Sequence, residues 1–243
     1  MTGLVPSMSN TPSVFRGGCF SISYTRESTF VATVAEHYED HLAPIYLWMA
    51  GGFDAAVSRG ESEIDAVCQN PPNGLIAVDL GAGFGMHSIP LARRGYSLVA
   101  IDSSAKLLEE LRHRAERLTI RTVEDDLLNF QKHLDTKAHL IICMGDTLTH
   151  LSEPQSVEQL FSLVEDSLHP GGTFITTFRD YTTPLVGNGR FIPVRSDRDR
   201  ILTCFLEYSP EYVTVHDMIY EWNGDIWQLR VSSYRKLRLS PEW

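Results

Sequence analysis

Residues 75–85 read Leu-Ile-Ala-Val-Asp-Leu-Gly-Ala-Gly-Phe-Gly, and this stretch decides the fold. Its apolar first half has the length and the β-branched content of a buried strand that ends in an acid, Asp79. The segment from Met86 to Arg94 then has the pattern of a helix. The three glycines therefore fall on a strand-to-helix turn, which is the context that a nucleotide-cofactor loop requires.

The three glycines, Gly81, Gly83 and Gly85, occupy alternating positions. Glycine adopts backbone angles that are closed to other residues, and it lets the main chain approach a ligand without a Cβ atom in the way. A dinucleotide fingerprint would carry glycine at position 86, where this chain has methionine. Binding of a pyrophosphate at the helix N-terminus is therefore less well supported.

A second acid ends the next strand pattern. Ser97 to Ile101 reads as a strand that runs into Asp102, where a carboxylate can accept hydrogen bonds from both hydroxyls of a ribose. An acid before Gly-x-Gly-x-Gly, followed by an acid at the tip of the next strand, resembles the class I S-adenosylmethionine-dependent methyltransferases. The resemblance implies S-adenosylmethionine as cofactor. It implies that Asp79 and the glycine loop face the methionine part and Asp102 the ribose, with Ser103 and Met144 as further cofactor-binding residues.

Two later segments match the same family. After the short strand pattern from Ile120 to Val123, the resemblance puts Asp126 and Leu127 beside the adenine, although each acid of this turn taken alone would better fit a solvated helix cap. After the strand pattern from His139 to Cys143, the stretch from Met144 to Leu151 resembles the segment that borders the reactive methyl group. That likeness is to the small-molecule branch, which includes glycine N-methyltransferase-like enzymes.

The order of the patterns predicts the fold class. Thr173 to Phe178 reads as a fifth strand, and the apolar residues between Ser152 and Leu168 keep helical spacing. Alternating strands and helices predict an α/β fold with a doubly wound, mostly parallel Rossmann-like sheet, whose ligands bind at the carboxyl ends of the strands. We expect a mobile tail over residues 1–30 and a single methyltransferase domain over 31–243, with its cofactor-binding core at 72–180.

Beyond the core, residues 181–239 are expected to form an antiparallel substrate and lid region. Three strand patterns joined by turn sequences predict a meander over Ile201–Tyr208, Tyr212–Trp222 and Ile226–Leu239. The meander either replaces the last strands of the family's sheet or is an insert in a chain without the final helix and hairpin, and we favour the insert. The edge of strand five then needs cover from the meander or from another subunit, so the C-terminal strands are the expected contact of a homo-oligomer.

Residues 31–60 combine aromatic residues with a helical pattern that is broken by two glycines near its end. In the enzymes that this chain resembles, such a helix covers the cofactor, so we expect an N-terminal helical cap. An aromatic helix face packed on the sheet would explain most of these residues. We assign Tyr38 to the cofactor and Tyr46 to the substrate, because a buried phenol needs a hydrogen-bond partner that a ligand could supply.

The candidate substrate and catalytic residues follow the strands. Arg179 could clamp a substrate carboxylate with two hydrogen bonds or form a surface ion pair with Asp180 or a neighbour. Arg190, in a glycine-rich loop, is a second candidate for substrate binding. The candidate catalytic residues are His150 and Tyr181. An imidazole suits proton removal from a hydroxyl, a neutral amine needs no strong base, and a structural hydrogen bond is the alternative role for His150.

Composition constrains the partners. With 31 acidic and 21 basic residues the formal charge is −10, which disfavours a nucleic acid substrate. The sequence contains no apolar run long enough to span a bilayer and no signal-peptide pattern at its N-terminus. The four cysteines lack metal-ligand spacing and suit a reducing compartment. We expect a cytoplasmic protein without a membrane partner or a bound metal, and a small-molecule methyl acceptor.

The expected activity is methyl transfer by in-line displacement to the nitrogen or oxygen of a small polar metabolite. Two alternatives stay open. A metal-assisted O-methyltransferase would use Asp146, but it needs a second acid or asparagine at ligand spacing, and Thr147 follows directly. A protein that binds S-adenosylmethionine without turnover would have no polar group within reach of the methyl.

Overall fold

The computed structural model describes residues 22–24, 31–68 and 74–242. The strands of these segments are β1 (Ile22–Tyr24), β2 (Ile76–Leu80), β3 (Ser97–Asp102), β4 (Ile120–Glu124), β5 (Ala138–Cys143), β6 (Leu168–Thr176), β7 (Phe191–Ser196), β8 (Arg200–Tyr208), β9 (Tyr212–Trp222) and β10 (Trp227–Leu237). The α-helices are α1 (Val34–Glu36), α2 (Tyr46–Met49), α3 (Phe53–Val67), α4 (Ser88–Arg93), α5 (Ala105–Arg114) and α6 (Pro154–Ser167). A π-helical segment spans His37–Leu42, and 3₁₀ turns span Ala43–Ile45, Leu127–His133, Thr147–His150 and Gly187–Arg190.

Strands β2 to β6 form a parallel sheet in the order β4-β3-β2-β5-β6. Successive residues of a strand face opposite sides of the sheet, so Ala77 packs in a core with α3, α4 and α5, whereas Val78 packs in a second core with α6. Both faces are covered, which is why the strands of this sheet are apolar on both sides. The predicted doubly wound parallel sheet is confirmed.

The C-terminal strands form a separate sheet in the order β1-β10-β9-β8-β7. The predicted meander of three antiparallel strands is present as β8, β9 and β10, with β7 as a fourth antiparallel strand and β1 as a parallel neighbour of β10. Because these strands pair with one another and not with the parallel sheet, the interpretation that they replace its last strands is wrong. They form a second layer beside the carboxyl end of the parallel sheet.

Several predicted boundaries differ from the observed ones. The fifth parallel strand begins at Leu168 and ends at Thr176, and the Thr177 N–H just beyond it still donates to the Cys143 carbonyl of β5 at 3.2 Å. Helix α4 begins only at Ser88, after the glycine loop has completed its turns.

Residues 31–60 are largely helical, as expected of the cap. The predicted tail over residues 1–30 lies outside the described residues except for β1. Among the helices of the described segments, none is long and apolar enough to cross a bilayer.

Two kinds of contact join the sheets. Leu237 and Leu239, at the end of β10, are buried in the same core as Val78 and α6. Beside them, the Lys236 ammonium donates to Asp146 Oδ2 at 2.9 Å, and both side chains are less than a tenth exposed. Burial disfavours ionisation of Asp146, but the ion pairs with Lys236 and Arg179 outweigh it and lower the pKa of this carboxyl. The Asp146 carboxyl is therefore ionised at neutral pH, whereas burial lowers the pKa of Lys236 and the charge of Asp146 opposes that shift.

The Lys236 ion pair gives a stability prediction. Replacing Lys236 with Met leaves the buried Asp146 charge without its main partner, which should lower the free energy of unfolding by roughly 3–5 kcal/mol. Adding Asp146→Asn should recover a large part of the lost free energy of unfolding. Because the folded-state pKa of Asp146 is lowered, its stabilisation is present above the unfolded pKa of about 4 and is lost as pH falls through the folded pKa. The Lys236→Met/Asp146→Asn double variant should not show this loss of stability as pH falls.

Urea denaturation at pH 7 and across the acid range measures both effects. The matched control is Arg230→Met on the same strand, because Arg230 pairs with Glu221 at 2.9 Å while both are about a third exposed. That change should cost less than about 1 kcal/mol. Equal losses from Lys236→Met and Arg230→Met would contradict the importance of the buried pair.

A second prediction concerns the packing of α3 on the glycine loop. A Cβ atom at Gly60 would lie 2.0 Å from the Met86 carbonyl oxygen, a backbone atom that cannot move aside cheaply. Gly60→Ala should therefore destabilise the chain by roughly 1–3 kcal/mol in urea denaturation, although alanine is the better helix former by about 1 kcal/mol. Ser58→Ala, at an exposed position of the same helix, should cause no loss. Unchanged stability of Gly60→Ala would show that the two segments are not in close contact.

Candidate active site

A cavity of about 1040 Å³ opens at the carboxyl edge of the parallel sheet, where the cap, the glycine loop and the C-terminal sheet meet. Many residues that the sequence analysis assigned to cofactor, substrate or catalysis line it: Tyr38, Tyr46, Gly81, Gly83, Asp102, Ser103, Asp126, Leu127, Met144 and His150. Local motifs from five separate segments are thus brought to one cavity.

The glycine loop and the Asp102 loop are locked together. The Gly83 N–H donates to Asp102 Oδ2 at 2.8 Å, and the Ser104 N–H donates to Oδ1 at 2.8 Å. Gly83 has φ +53°, and a Cβ atom built on it would meet nothing nearer than Leu107 at 4.0 Å. Each oxygen of Asp102 keeps a further lone pair, so the carboxylate can still accept two donors from the cavity. This donor set fits a ribose with two neighbouring hydroxyls.

Asp79 and Gly85 lie beneath the loop and outside the cavity lining. Asp79 is buried, its pKa is raised by burial, and its Oδ2 accepts a hydrogen bond from the Ser88 hydroxyl at 2.6 Å. Gly85 has φ +94°, and a Cβ atom there would come within 2.4 Å of Leu111 Cδ1. Both residues shape the turn from β2 to α4, so the assignment of Asp79 to the methionine part stays a prediction.

Asp126 has the contacts of a helix cap. Its Oδ1 accepts from the Leu128 N–H at 2.8 Å at the start of a 3₁₀ turn, and Leu127 follows it into the cavity wall. The neighbouring Asp125 is held by His133 Nε2 at 2.7 Å and by the Asn129 amide at 2.8 Å. Asp126 therefore caps the 3₁₀ turn and lines the cavity at the same time.

The cap is anchored by buried polar contacts with the C-terminal sheet. His37 Nε2 lies 2.9 Å from Asp217 Oδ2, and His37 Nδ1 lies 2.8 Å from the Ser232 hydroxyl. The His37 ring also stacks on Tyr234 with 4.1 Å between centroids. These contacts fix the π-helical segment, and they orient the next residue, Tyr38, toward the cavity.

Aromatic rings surround His150. The centroid of its ring lies 5.2 Å from that of Tyr38 and 5.7 Å from that of Tyr234, and Tyr38 in turn lies 5.9 Å from Tyr46. His150 Nε2 is buried and has no hydrogen-bond partner among the described residues. Burial, followed by the charge of Lys236, lowers the pKa of His150 well below its usual value. The imidazole is therefore neutral near pH 7, with a nitrogen available to a ligand.

Arg179, Tyr181 and Arg190 are absent from the described lining of the cavity. Arg179 forms an ion pair, its alternative role, with Asp146 and not with Asp180: its Nε lies 3.3 Å from Asp146 Oδ2, and its backbone N–H donates to Oδ1 at 2.7 Å. Tyr181 is buried, with its hydroxyl 3.5 Å from the same carboxylate. Arg190 lies over the Phe205 ring at 4.8 Å. Their predicted roles in catalysis and substrate binding stay predictions.

Asp146 is fully engaged by these cations, and no cluster of three metal-ligating side chains occurs within the described residues. The metal-assisted mechanism is therefore not favoured. The sequence analysis missed lining residues from far along the chain, above all Tyr212 on β9 and Arg235 on β10, together with Ser152. No local motif marks Tyr212 and Arg235, because only the pairing of β9 and β10 brings them to the cavity.

Comparisons with known proteins agree with this geometry. The model of a methyltransferase domain family matches residues 77–172. The glycine/sarcosine N-methyltransferase of Aphanothece halophytica is 27% identical over 106 residues, which cover 43% of this chain and 40% of that enzyme. The glycine/sarcosine N-methyltransferase of Halorhodospira halochloris is 28% identical over 128 residues, 51% of this chain and 48% of that enzyme. The matched region thus spans about half the length of these relatives or less.

The fold has a close counterpart among solved structures. An amino pentose methyltransferase from Micromonospora echinaspora, solved with S-adenosylmethionine bound, superposes with a TM-score of 0.64 over 90% of this chain and 87% of its own, at 14% identity. At that identity the likeness concerns the fold alone. The family match over residues 77–172, the similar N-methyltransferases and the glycine and acid motifs of β2 and β3 together support a class I S-adenosylmethionine-dependent methyltransferase.

Proposed function

We propose that the chain transfers the methyl group of S-adenosylmethionine to a nitrogen of a small polar metabolite. The observation that carries the proposal is the cavity that joins the Asp102 and glycine-loop end to the His150 end. Its volume lies at the upper limit of the roughly 300–1,000 Å³ of small-molecule sites, which suits a cofactor together with a small acceptor. The similarity to enzymes named for methylating glycine and sarcosine supports a small nitrogen acceptor.

The residues that would hold the cofactor follow the order of the strands. The loop from Gly81 to Gly83 follows the central strand β2, Asp102 and Ser103 follow β3, and Asp126 and Leu127 follow β4. His150 lies beyond β5, on the other side of β2. The ribose and adenine would thus extend toward β4, and the reactive end would extend toward β5. When bound, S-adenosylmethionine supplies an electrophilic methyl group on a sulfonium.

The chain's own contribution is to orient the acceptor and exclude water. Tyr38 and Tyr46 line the cavity from the cap, and burial keeps both phenols neutral, with the pKa of Tyr46 raised to about 12. Uncharged aromatic walls keep the reacting atoms away from bulk water while still offering hydrogen bonds. Alignment of an acceptor lone pair with the methyl carbon can supply roughly 7–11 kcal/mol of the barrier.

The state of His150 favours nitrogen over oxygen as the acceptor atom. Its lowered pKa makes the imidazole a weak base, which is poorly matched to removing a proton from an alcohol. The unpaired Nε2 can instead accept a hydrogen bond from the N–H of a neutral amine, and this bond would direct the amine's lone pair. The same polar group argues against a protein that binds the cofactor without turnover, for which we expected an apolar methyl pocket.

The first test is calorimetric titration with S-adenosylmethionine and S-adenosylhomocysteine, with NAD as a control. Only the two sulfur nucleotides should bind. Asp102→Ala should weaken both at least tenfold, because hydrogen bonds to a charged group are worth about 1.5–3 kcal/mol each. Asp166→Ala, an exposed acid on α6, should bind as the wild type does. Unchanged affinity of Asp102→Ala would remove the ribose assignment, and binding of NAD alone would overturn the proposed function.

The second test uses an acceptor found by screening small amines, acids and phenols for methylation. His150→Ala should lower kcat/KM about 10–100-fold, as expected for a lost hydrogen bond to the acceptor, while cofactor affinity changes little. His150→Gln should retain more activity, and His113→Ala, at an exposed position of α5, should retain all of it.

The pH profile separates the two roles of His150. Because its pKa is lowered, the imidazole is already neutral throughout the range from about pH 6 to 9, so kcat/KM should rise only with deprotonation of the amine acceptor. A further inflection that disappears in His150→Gln would identify His150 as a titrating base. That result would contradict its role as a neutral hydrogen-bond acceptor.

A further inference from the structure

Arg235, on β10, differs in charge from the rest of the cavity wall. Among the described residues that line the cavity it is the one lysine or arginine, whereas the acids Asp102, Asp125 and Asp126 line the end beyond β3 and β4. The wall is therefore electrostatically polarised. A negative group inside it is repelled from the acidic end and attracted toward Arg235.

Among the described residues the Arg235 guanidinium forms no hydrogen bond or ion pair. Its one side-chain contact there is a cation–π contact with the Tyr212 ring, 5.7 Å from its centroid. Neighbouring arginines of the same strand and its continuation are engaged: Arg230 donates to Glu221 at 2.9 Å, and Arg238 Nε donates to the Tyr181 carbonyl at 3.0 Å. The N–H donors of the Arg235 guanidinium are thus available to a ligand.

The backbone of Arg235 lies within a paired strand, while its side chain is exposed where it lines the cavity. Arg235 lies opposite Thr214 in the ladder of β10 and β9, away from any loop. The Tyr212 hydroxyl donates to the Ser152 carbonyl at 3.1 Å, which fixes the ring against which the guanidinium lies. Ser152 and Tyr212 line the cavity themselves, and Ser152 closely follows His150 in the chain. The positive group and the unpaired imidazole therefore belong to one wall.

We propose that Arg235 binds an oxyanion of the methyl acceptor, either a carboxylate or a phosphate-type group. This inference rests on the proposed function and narrows its substrate to an anionic amine. The nitrogen would lie at His150 and the oxyanion at Arg235, whose guanidinium can donate two parallel hydrogen bonds to such a group. The sequence analysis suggested Arg179 for binding a substrate carboxylate, but Arg179 is already paired with Asp146. We therefore assign the binding of the oxyanion to Arg235.

Matched amines test the proposal. β-Alanine, its amide and 2-aminoethylphosphonate present a similar amine with a carboxylate, a neutral group or a phosphonate, and glycine, glycinamide and aminomethylphosphonate form a shorter set. Methyl transfer, followed as S-adenosylhomocysteine production, should favour at least one anionic class over the amides. Arg235→Gln should lower kcat/KM for that class about 10–100-fold, mainly through KM, and leave the amides and cofactor affinity unchanged. Arg93→Gln, at an exposed position of α4, should change neither.

A binding experiment keeps the inference testable apart from turnover. Benzoate, phenyl phosphate and benzamide are titrated into the chain, with and without S-adenosylhomocysteine, and their contact is followed by NMR saturation transfer. Either anion should bind more tightly than benzamide, and Arg235→Gln should remove the difference. Equal binding of the three probes, or an anion preference that survives in Arg235→Gln, would overturn the inference. Failure of S-adenosylmethionine to bind in calorimetry would instead count against the proposed function.

Discussion

A buried ion pair between Asp146 and Lys236 fixes the distance between the two sheets, and the cavity depends on that distance. Asp146 follows β5 of the parallel sheet, and Lys236 lies on β10 of the antiparallel sheet. Desolvation makes such a pair expensive, so its effect is less to add stability than to penalise any arrangement that separates the charges. Together with Leu237 and Leu239, which enter the core beneath β2, the pair sets where the second sheet ends and the cavity begins.

The same pair influences the chemistry of the site. Lys236 adds to the burial that keeps His150 neutral, so a structural charge also sets the protonation state of the residue nearest the expected acceptor. Asp146, which could have been a metal ligand, is held by cations in this role instead. The acid after β5 thus joins the two sheets, and the His150 imidazole keeps an Nε2 without a hydrogen-bond partner among the described residues.

The two ends of the cavity are built in different ways. The end that we assign to the cofactor consists of loops that follow β2, β3 and β4, and hydrogen bonds such as that from the Gly83 N–H to Asp102 join these loops. The end that we assign to the acceptor consists of side chains from the cap and the C-terminal sheet, which are joined through buried contacts such as His37 with Asp217. Substitutions on β9 or β10 can therefore change which acceptor fits this second end without disturbing the loops after β2, β3 and β4.

The sequence by itself determined the parallel sheet, the glycine loop and the place of Asp102, because these features depend on periodicity, backbone freedom and residues that are close in the chain. It also indicated the antiparallel strands, although not β7 or their position as a separate sheet. Only the tertiary structure decided that Arg179 pairs with Asp146, that Tyr181 is buried beside them, and that Arg235 reaches the cavity. The physical reason is that pairing between charges and exposure to a cavity depend on which distant segments meet, and no local pattern encodes that meeting.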